Sequence, residues 1–212
     1  MVSILGQVLG IDGKVHTLYN YLQHTEAFVR RQLNFSHYTD VPLQLAEDLV
    51  NTLDVMDGTD TLDLTQLGEF LDRPEMCESP RAVEADLIPM RQLRQRVREV
   101  FEAKTAAEAA ERINRILQHA QAIPYVGVHG TGPHMHVAPR RNDVAGWFGA
   151  VLAMGLAELV VRHGVDRFGV CSADDCRDVF IDVSRNHSRK HCSDRCTNRE
   201  GVRSFRKRAA LV

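Results

Sequence analysis

The sequence predicts a mainly α fold with one β-hairpin over residues 1–165, followed by a small four-cysteine module over residues 166–212. Apolar residues recur at helical spacing through most of the first part, and four of the five cysteines lie in the second. The charge also changes sign, from a net −6 over residues 1–165 to +4 over residues 166–212. The 44% hydrophobic and 25% charged contents are ordinary globular values, which exclude collagen-like, coiled-coil and wholly disordered chains.

The first part begins with three helical patterns. A helical stretch is predicted over Leu18 to Leu33. Pro42 is predicted to begin a second helix, whose apolar stripe runs as far as Leu53 and which Asp57-Gly58 would end. A short helix from Thr61 to Leu71 follows, before a proline-containing loop.

Two paired helices and a hairpin come next. Pro89 lies in the first turn of one helix, where a proline is tolerated, and Thr105 with Glu108 forms a capping box at the start of the other. The pattern then changes to strand-like runs on both sides of a glycine-rich turn, which predicts a β-hairpin with strands at residues 123–129 and 134–138.

A long apolar run, Val144 to Val161, carries a single charge, that of Glu158. Its length resembles that of a short membrane span. Glycines and alanines dilute the run, however, and no second span is visible in the sequence. We therefore expect a buried central helix and no membrane partner, with Asn142 as its N-cap and His163-Gly164 at its end.

The four cysteines of the second part form two short pairs. Four residues separate Cys171 from Cys176, three separate Cys192 from Cys196, and fifteen lie between the pairs. Zinc needs four soft ligands at about 2.3 Å from the ion, and two short cysteine pairs can supply them. In a chain expected to stay in a reducing compartment, metal ligation is favoured over disulfides. The sequence thus predicts Zn²⁺ as the cofactor, with free thiols as the alternative.

The residues around the cysteines predict how the module folds. Val179 to Val183 alternates as a strand, and residues 189–191 return after a turn to complete a hairpin. If Ser193 starts the last helix, Cys192 and Cys196 lie at its first turn, where the helix dipole favours thiolates. A knuckle, a hairpin and a helix that share one ion are similar to a treble-clef zinc finger. Few apolar residues support this module, so metal should supply much of its stability.

The last helix, from Ser193 to about Ala210, is strongly basic. A narrow apolar stripe of Val202, Phe205 and Ala209 could dock the helix, leaving its arginines for phosphates or guanine edges. We therefore expect double-stranded DNA as a partner. The candidate DNA-contacting residues are Arg185, Arg189, Lys190, Asn198, Arg199, Arg203, Arg206 and Lys207.

Two stretches carry a family resemblance. Residues 171–208, above all SRNHSRKHCS at 184–193 and CTNR at 196–199, resemble the bacterial CGNR zinc-finger family. LAEDLVNTL at residues 45–53, with the hairpin and apolar helix, looks like the ABATE-type domain usually joined to that finger. The resemblance implies a stress-response transcription regulator with a ligand-sensing N-terminal domain and a DNA-binding finger. It implies the four cysteines as zinc ligands and Asn198-Arg199 as the signature Asn-Arg, although Thr197 replaces the signature glycine.

Histidines are the remaining metal-binding candidates. His187 and His191 are alternatives to a cysteine at the zinc site. His129, His134 and His136 come together on the predicted hairpin, where packing or a second metal site would account for them.

These observations favour a cytoplasmic DNA-binding regulator, because the start of the chain does not resemble a signal peptide. The alternative is a zinc-stabilised protein-interaction module without DNA binding, whose basic helix docks on an acidic partner. No nucleophile elbow or acid–base pair is visible, so we expect no enzymatic activity, and Cys77 resembles an ordinary thiol. A single short finger reads few base pairs, so we also expect a homodimer.

Overall fold

The described part of the chain contains six helices and two small antiparallel sheets in a computed structural model. The structure describes residues 37–73, 79–129, 132–140 and 143–209. The predicted helix from Leu18 to Leu33 and the thiol of Cys77 lie outside these ranges. The elements are α1 (His37–Val50), α2 (Leu64–Leu71), α3 (Leu87–Phe101), α4 (Ala106–Ala120), β1 (Ala122–His129), β2 (Gly132–Pro139), α5 (Val144–His163), β3 (Phe168–Val170), β4 (Val179–Ile181) and α6 (Asp194–Ala209).

Helix α1 differs from its prediction at both ends. It begins at His37, so Pro42 lies inside the helix and does not begin it. A proline there removes one hydrogen bond near the amino end, which the helix tolerates because the residues that follow are well buried. The helix ends at Val50, before Leu53, and Gly58 instead closes the next loop, with φ 81° and a hydrogen bond from its N–H to the Asp54 carbonyl.

Side chains cap two of the three following helices. Helix α2 is shorter than predicted because Asp63 caps it, accepting a hydrogen bond from the Gln66 N–H. Helix α3 begins two residues before Pro89, as expected for a proline in the first turn. Thr105 caps α4 as predicted, but Glu108 completes only half of a capping box, since its carboxylate accepts from the Lys104 N–H.

Helix α5 is the core of the helical part. It packs against α1, α3, α4 and β2, and it is the one described helix long and apolar enough to cross a membrane. Its glycines mark close approaches: a Cβ at Gly155 would lie 2.7 Å from the Cβ of Pro42. The predicted N-cap, Asn142, is wrong by one residue, because Asp143 accepts the hydrogen bond from the Gly146 N–H. Helix α5 ends at His163-Gly164, as predicted, and the mainly α fold with a buried central helix is confirmed.

The β-hairpin is also confirmed. Strands β1 and β2 are antiparallel, with Tyr125 opposite His136 and Gly127 opposite His134. The second sheet corrects a prediction: β4 pairs with β3, which precedes the first cysteine, and not with residues 189–191. The returning segment bonds instead through the Lys190 carbonyl, which accepts from the N–H and hydroxyl of Ser172.

Helix α1 covers the free edge of β4. The Asp178 carbonyl and the Asp182 N–H bond towards β3, so the intervening Val179 and Ile181 present their backbone groups to the opposite edge. There, the Asn51 side chain both donates to the Val179 carbonyl and accepts from its N–H, at 2.9 and 2.8 Å. Glu47 accepts from the Ile181 N–H at 2.5 Å. Two side chains, one in α1 and one directly after it, thereby take the place of a third strand, and they attach the cysteine module to the helical part.

Candidate metal centre

The four cysteines occupy the ends of three short elements. Cys171 directly follows β3, and its N–H donates to the Asp178 carbonyl. Cys176 closes a turn by donating its N–H to the Ala173 carbonyl. Cys192 precedes α6, and Cys196 lies in its first turn, where the Ser193 hydroxyl accepts from the Cys196 N–H. The strand pair and the turn thus supply Cys171 and Cys176, and the start of α6 supplies Cys192 and Cys196. The two pairs of thiols lie around one point, as the spacing predicts.

The sulfur geometry suits one tetrahedral ion. All four Sγ atoms lie within 4.8 Å of one another, and Cys192 Sγ is 3.6 Å from both Cys176 Sγ and Cys196 Sγ. Four sulfurs at about 2.3 Å from a zinc ion lie about 3.8 Å apart. No disulfide joins any two of these four cysteines. Neither His187 nor His191 belongs to the cluster.

Electrostatics also indicate a cation at this point. Burial raises the pKa of Cys176 to about 12 and raises the pKa of Cys192 as well. Burial likewise opposes ionisation of Cys196, but hydrogen bonds from Ser193 and the neighbouring thiols outweigh it and lower the Cys196 pKa. Buried sulfurs that repel each other as anions need a positive charge among them to ionise together, and a divalent ion supplies it.

Three predicted DNA contacts bond within the metal module. The Arg189 guanidinium donates to the carbonyls of Ile181, His191 and Cys192 and lies over the Phe180 ring, 4.8 Å from its centroid. It therefore holds the loop that delivers the third cysteine.

Arg199 and Arg203 tie α6 to the first cysteine turn. Arg199 pairs with Asp175 at 2.7 Å and donates to Cys196 Sγ at 3.3 Å. Arg203 pairs with Asp174 at 3.1 Å and with Glu200 at 2.8 Å. The inner face of α6 is therefore a row of ion pairs, and the predicted docking of the helix by its apolar stripe is wrong: Val202 and Phe205 are exposed.

The remaining predicted DNA contacts lie on the surface. Exposed residues are Arg185, Lys190, Asn198, Arg206 and Lys207. Two further exposed cations of α6, Arg195 and Arg208, were absent from the predicted set although they belong to the same basic run. Five of these exposed cations form no ion pair with any described residue: Lys190, Arg195, Arg206, Lys207 and Arg208.

Sequence reasoning missed the residues that fix the module in place. Glu47 and Asn51 fall within the stretch recognised at residues 45–53. Asn51 directly follows α1 and its N–H donates to the Glu47 carbonyl, so the spacing of four places both side chains on one side. Two polar residues on one side of an otherwise buried helix were the available signal. Asp174 and Asp175, adjacent between the first two cysteines, were the signal for partners of the α6 arginines.

Of the three hairpin histidines, only His136 has a described side chain. The His136 ring stacks on Tyr125, with centroids 5.2 Å apart. Among the side chains that the structure describes, the four cysteines form the one cluster able to hold a metal ion. The side chains of His129 and His134 lie outside that description, so a site involving them stays a prediction.

Comparison with known families agrees with this geometry. Residues 167–209 match the CGNR zinc finger, and residues 43–163 match ABATE, described as "Putative stress-induced transcription regulator". No curated protein matches the chain. The four clustered cysteines are those of the matched finger, so zinc is the cofactor of this module. The ABATE match spans more than half of the 212 residues, and the chain therefore belongs to the ABATE family, with a CGNR zinc finger following the ABATE domain.

Proposed function

We propose that this chain is a cytoplasmic DNA-binding transcription regulator, and not an enzyme, in which α6 meets double-stranded DNA. One observation carries the proposal. The exposed cations of α6, namely Arg195, Arg206, Lys207 and Arg208, have no acidic partner among the described residues. Unpaired cations clustered along one helix are the electrostatic footprint of a polyanion partner.

Zinc and the inner ion pairs hold this helix in place for binding. Bound zinc joins Cys196, at the start of α6, to the turn that contains Cys176. Arg199 and Arg203 pair with that same turn. The inner arginines are therefore positioning residues, and the phosphate contacts fall to the exposed cations of α6, with Lys190 and Arg185 as further candidate contacts.

Salt dependence of binding tests the proposal on the full, zinc-loaded chain. Four phosphate contacts would give a slope of about −3.6 for log K against log salt, a loss of about a hundredfold between about 50 and 200 mM. The double variant Arg206→Ala/Arg208→Ala should reduce the slope by about 2. The matched control is Arg115→Ala/Arg162→Ala, two exposed arginines of α4 and α5.

A second candidate function is a protein-interaction module, which the exposed Val202 and Phe205 favour. The two candidates differ in one result. If the full chain shows no affinity for duplex DNA even at low salt, the DNA-binding proposal fails and docking on an acidic protein replaces it.

The sensing of a small ligand by the ABATE domain and the formation of a homodimer also stay predictions. A homodimer would bring two fingers to neighbouring half-sites and double the number of phosphate contacts. Sedimentation of the zinc-loaded chain tests this, and a strict monomer at high concentration would contradict it.

A further inference from the structure

The side of α6 that faces solvent carries exposed apolar side chains as well as cations. Phe205 is 66% exposed and Val202 is 50% exposed. Asn198, one turn before Val202, is exposed as well. At 3.6 residues per turn Asn198 and Phe205 lie on the side of α6 away from Cys196, Arg199 and Arg203, which point to the zinc module. Val202 lies at the margin of that side. We call Asn198, Val202 and Phe205 the outer strip.

Cations flank the outer strip on both sides. On the helical wheel Arg195 and Arg206 lie beside Val202, and Arg208 lies on the other side of Phe205. Asp194, at the amino end, is the one carboxylate on this face of the described helix. A partner that fits this surface has apolar groups along its centre and negative charges along both margins.

The major groove of duplex DNA has that pattern. It admits an α-helix, its floor carries the 5-methyl group of every thymine, and phosphates line both edges. Phenylalanine and smaller apolar groups contact thymine methyls, and asparagine forms two hydrogen bonds with the edge of adenine. An exposed acidic protein surface would match the flanking cations but would leave the aromatic ring without an apolar contact.

We propose that the outer strip reads A·T base pairs in the major groove, with Phe205 and Val202 against thymine methyl groups and Asn198 on an adenine edge. This inference rests on the proposed DNA-binding function and names the specificity-determining residues of its site. It also separates two roles on one helix, since the flanking cations contact phosphates whatever the sequence.

The strip sets a spacing for the bases that it reads. Asn198 and Phe205 are seven residues apart, which is about 10.5 Å along a helix with a rise of 1.5 Å. Base pairs follow each other at about 3.4 Å. The two contacts therefore fall about three base pairs apart.

Selection of bound fragments from random duplex DNA, with the full zinc-loaded chain, is the first test. We expect a consensus with A·T pairs about three positions apart. Replacing thymine by uracil at those positions removes only the methyl group and should weaken binding about fivefold. Phe205→Ala should weaken binding to the selected site by a similar factor. At the one thymine that Phe205 contacts, the variant should no longer distinguish thymine from uracil, and its salt slope should be unchanged.

The control is Val161→Ala, compared with Val202→Ala. Val161 is an 86% exposed valine of α5, so the same truncation there should leave DNA binding unchanged. Because all these side chains are exposed, the variants should keep wild-type zinc content and thermal stability.

The outcomes distinguish failure of this inference from failure of the proposed DNA-binding function. If selection yields no consensus while salt-dependent binding persists, the outer strip reads no bases, although the chain still binds DNA. The same holds if Phe205→Ala keeps the wild-type preference for thymine over uracil at every position of the selected site. If no duplex is bound at low salt, both proposals fail and the strip belongs to a protein interface.

Discussion

The charge state of Glu47 should make the stability of this protein depend on pH in an unusual direction. Burial against β4 raises the pKa of Glu47 from 4.5 to about 7, even though the Ile181 N–H and Arg189 favour the carboxylate. In the unfolded chain the group ionises at its ordinary pKa. Between pH 4.5 and about 7 the folded chain therefore holds a proton that the unfolded chain has lost, and stability falls as pH rises.

The size of this effect follows from the shift. A raised pKa of about 2.5 units corresponds to about 3 kcal/mol between the fully protonated and fully ionised forms. About 2.5 kcal/mol of this should be lost between pH 5 and pH 8, because part of the loss has already occurred at pH 5. Glu47→Gln keeps a carbonyl oxygen to accept from the Ile181 N–H but cannot ionise. The free energy of unfolding of Glu47→Gln, relative to that of the wild type, should therefore rise by about this amount between pH 5 and pH 8.

Denaturant unfolding of the zinc-loaded full chain at several pH values gives the measurement. Protonation of the zinc thiols affects both proteins alike, so the difference between them isolates Glu47. Glu47→Ala is the control for the hydrogen bond, since it removes the acceptor and should destabilise at every pH. A difference between wild type and Glu47→Gln that does not change with pH would refute the reasoning, as would one that changes with the opposite sign.

Three other substitutions test the packing, the strand edge and the metal. Asn51→Ala leaves a backbone N–H and carbonyl of buried β4 unpaired and should cost about 2–4 kcal/mol in denaturant unfolding. Gly155→Ala forces a Cβ against α1 and should lower the free energy of unfolding by about 1–3 kcal/mol; a variant as stable as wild type would mean that the two helices separate easily. Cys176→Ser should lose the one zinc ion per chain that elemental analysis of the wild type is expected to give, and chelation should reproduce its lowered melting temperature. The matched controls, expected to have little effect or to stabilise slightly, are Gln44→Ala, Gly68→Ala and Cys77→Ser.

The parts of the structure that sequence could predict are those that neighbouring residues determine. The zinc ligands come from two short spacings, and the hairpin from alternation on both sides of a turn, so both were predicted correctly. Cap positions were harder to predict because two adjacent residues can both be suitable N-caps. Asn142 and Asp143 are both good N-caps, and only the hydrogen bond to Gly146 shows which one the helix uses.

Contacts distant along the chain could not be predicted. The bonds from Asn51 and Glu47 to β4 join residues 128 and 134 positions apart, and no local pattern specifies such a pairing. The predicted orientation of α6 was wrong for a related reason. Its apolar stripe predicts a buried face, but Arg199 and Arg203 pair with Asp175 and Asp174, and the stripe is exposed to solvent.

The covering of β4 by side chains of α1 has a consequence for how this protein can be divided. An open strand edge is a template for pairing with other chains, and here Asn51 and Glu47 occupy that edge in place of a further strand. A fragment starting near residue 166 would keep all four zinc ligands yet leave the Val179 backbone groups unsatisfied. Such a fragment should self-associate through this edge at high concentration, and grafting the finger onto another protein would require carrying α1 with it.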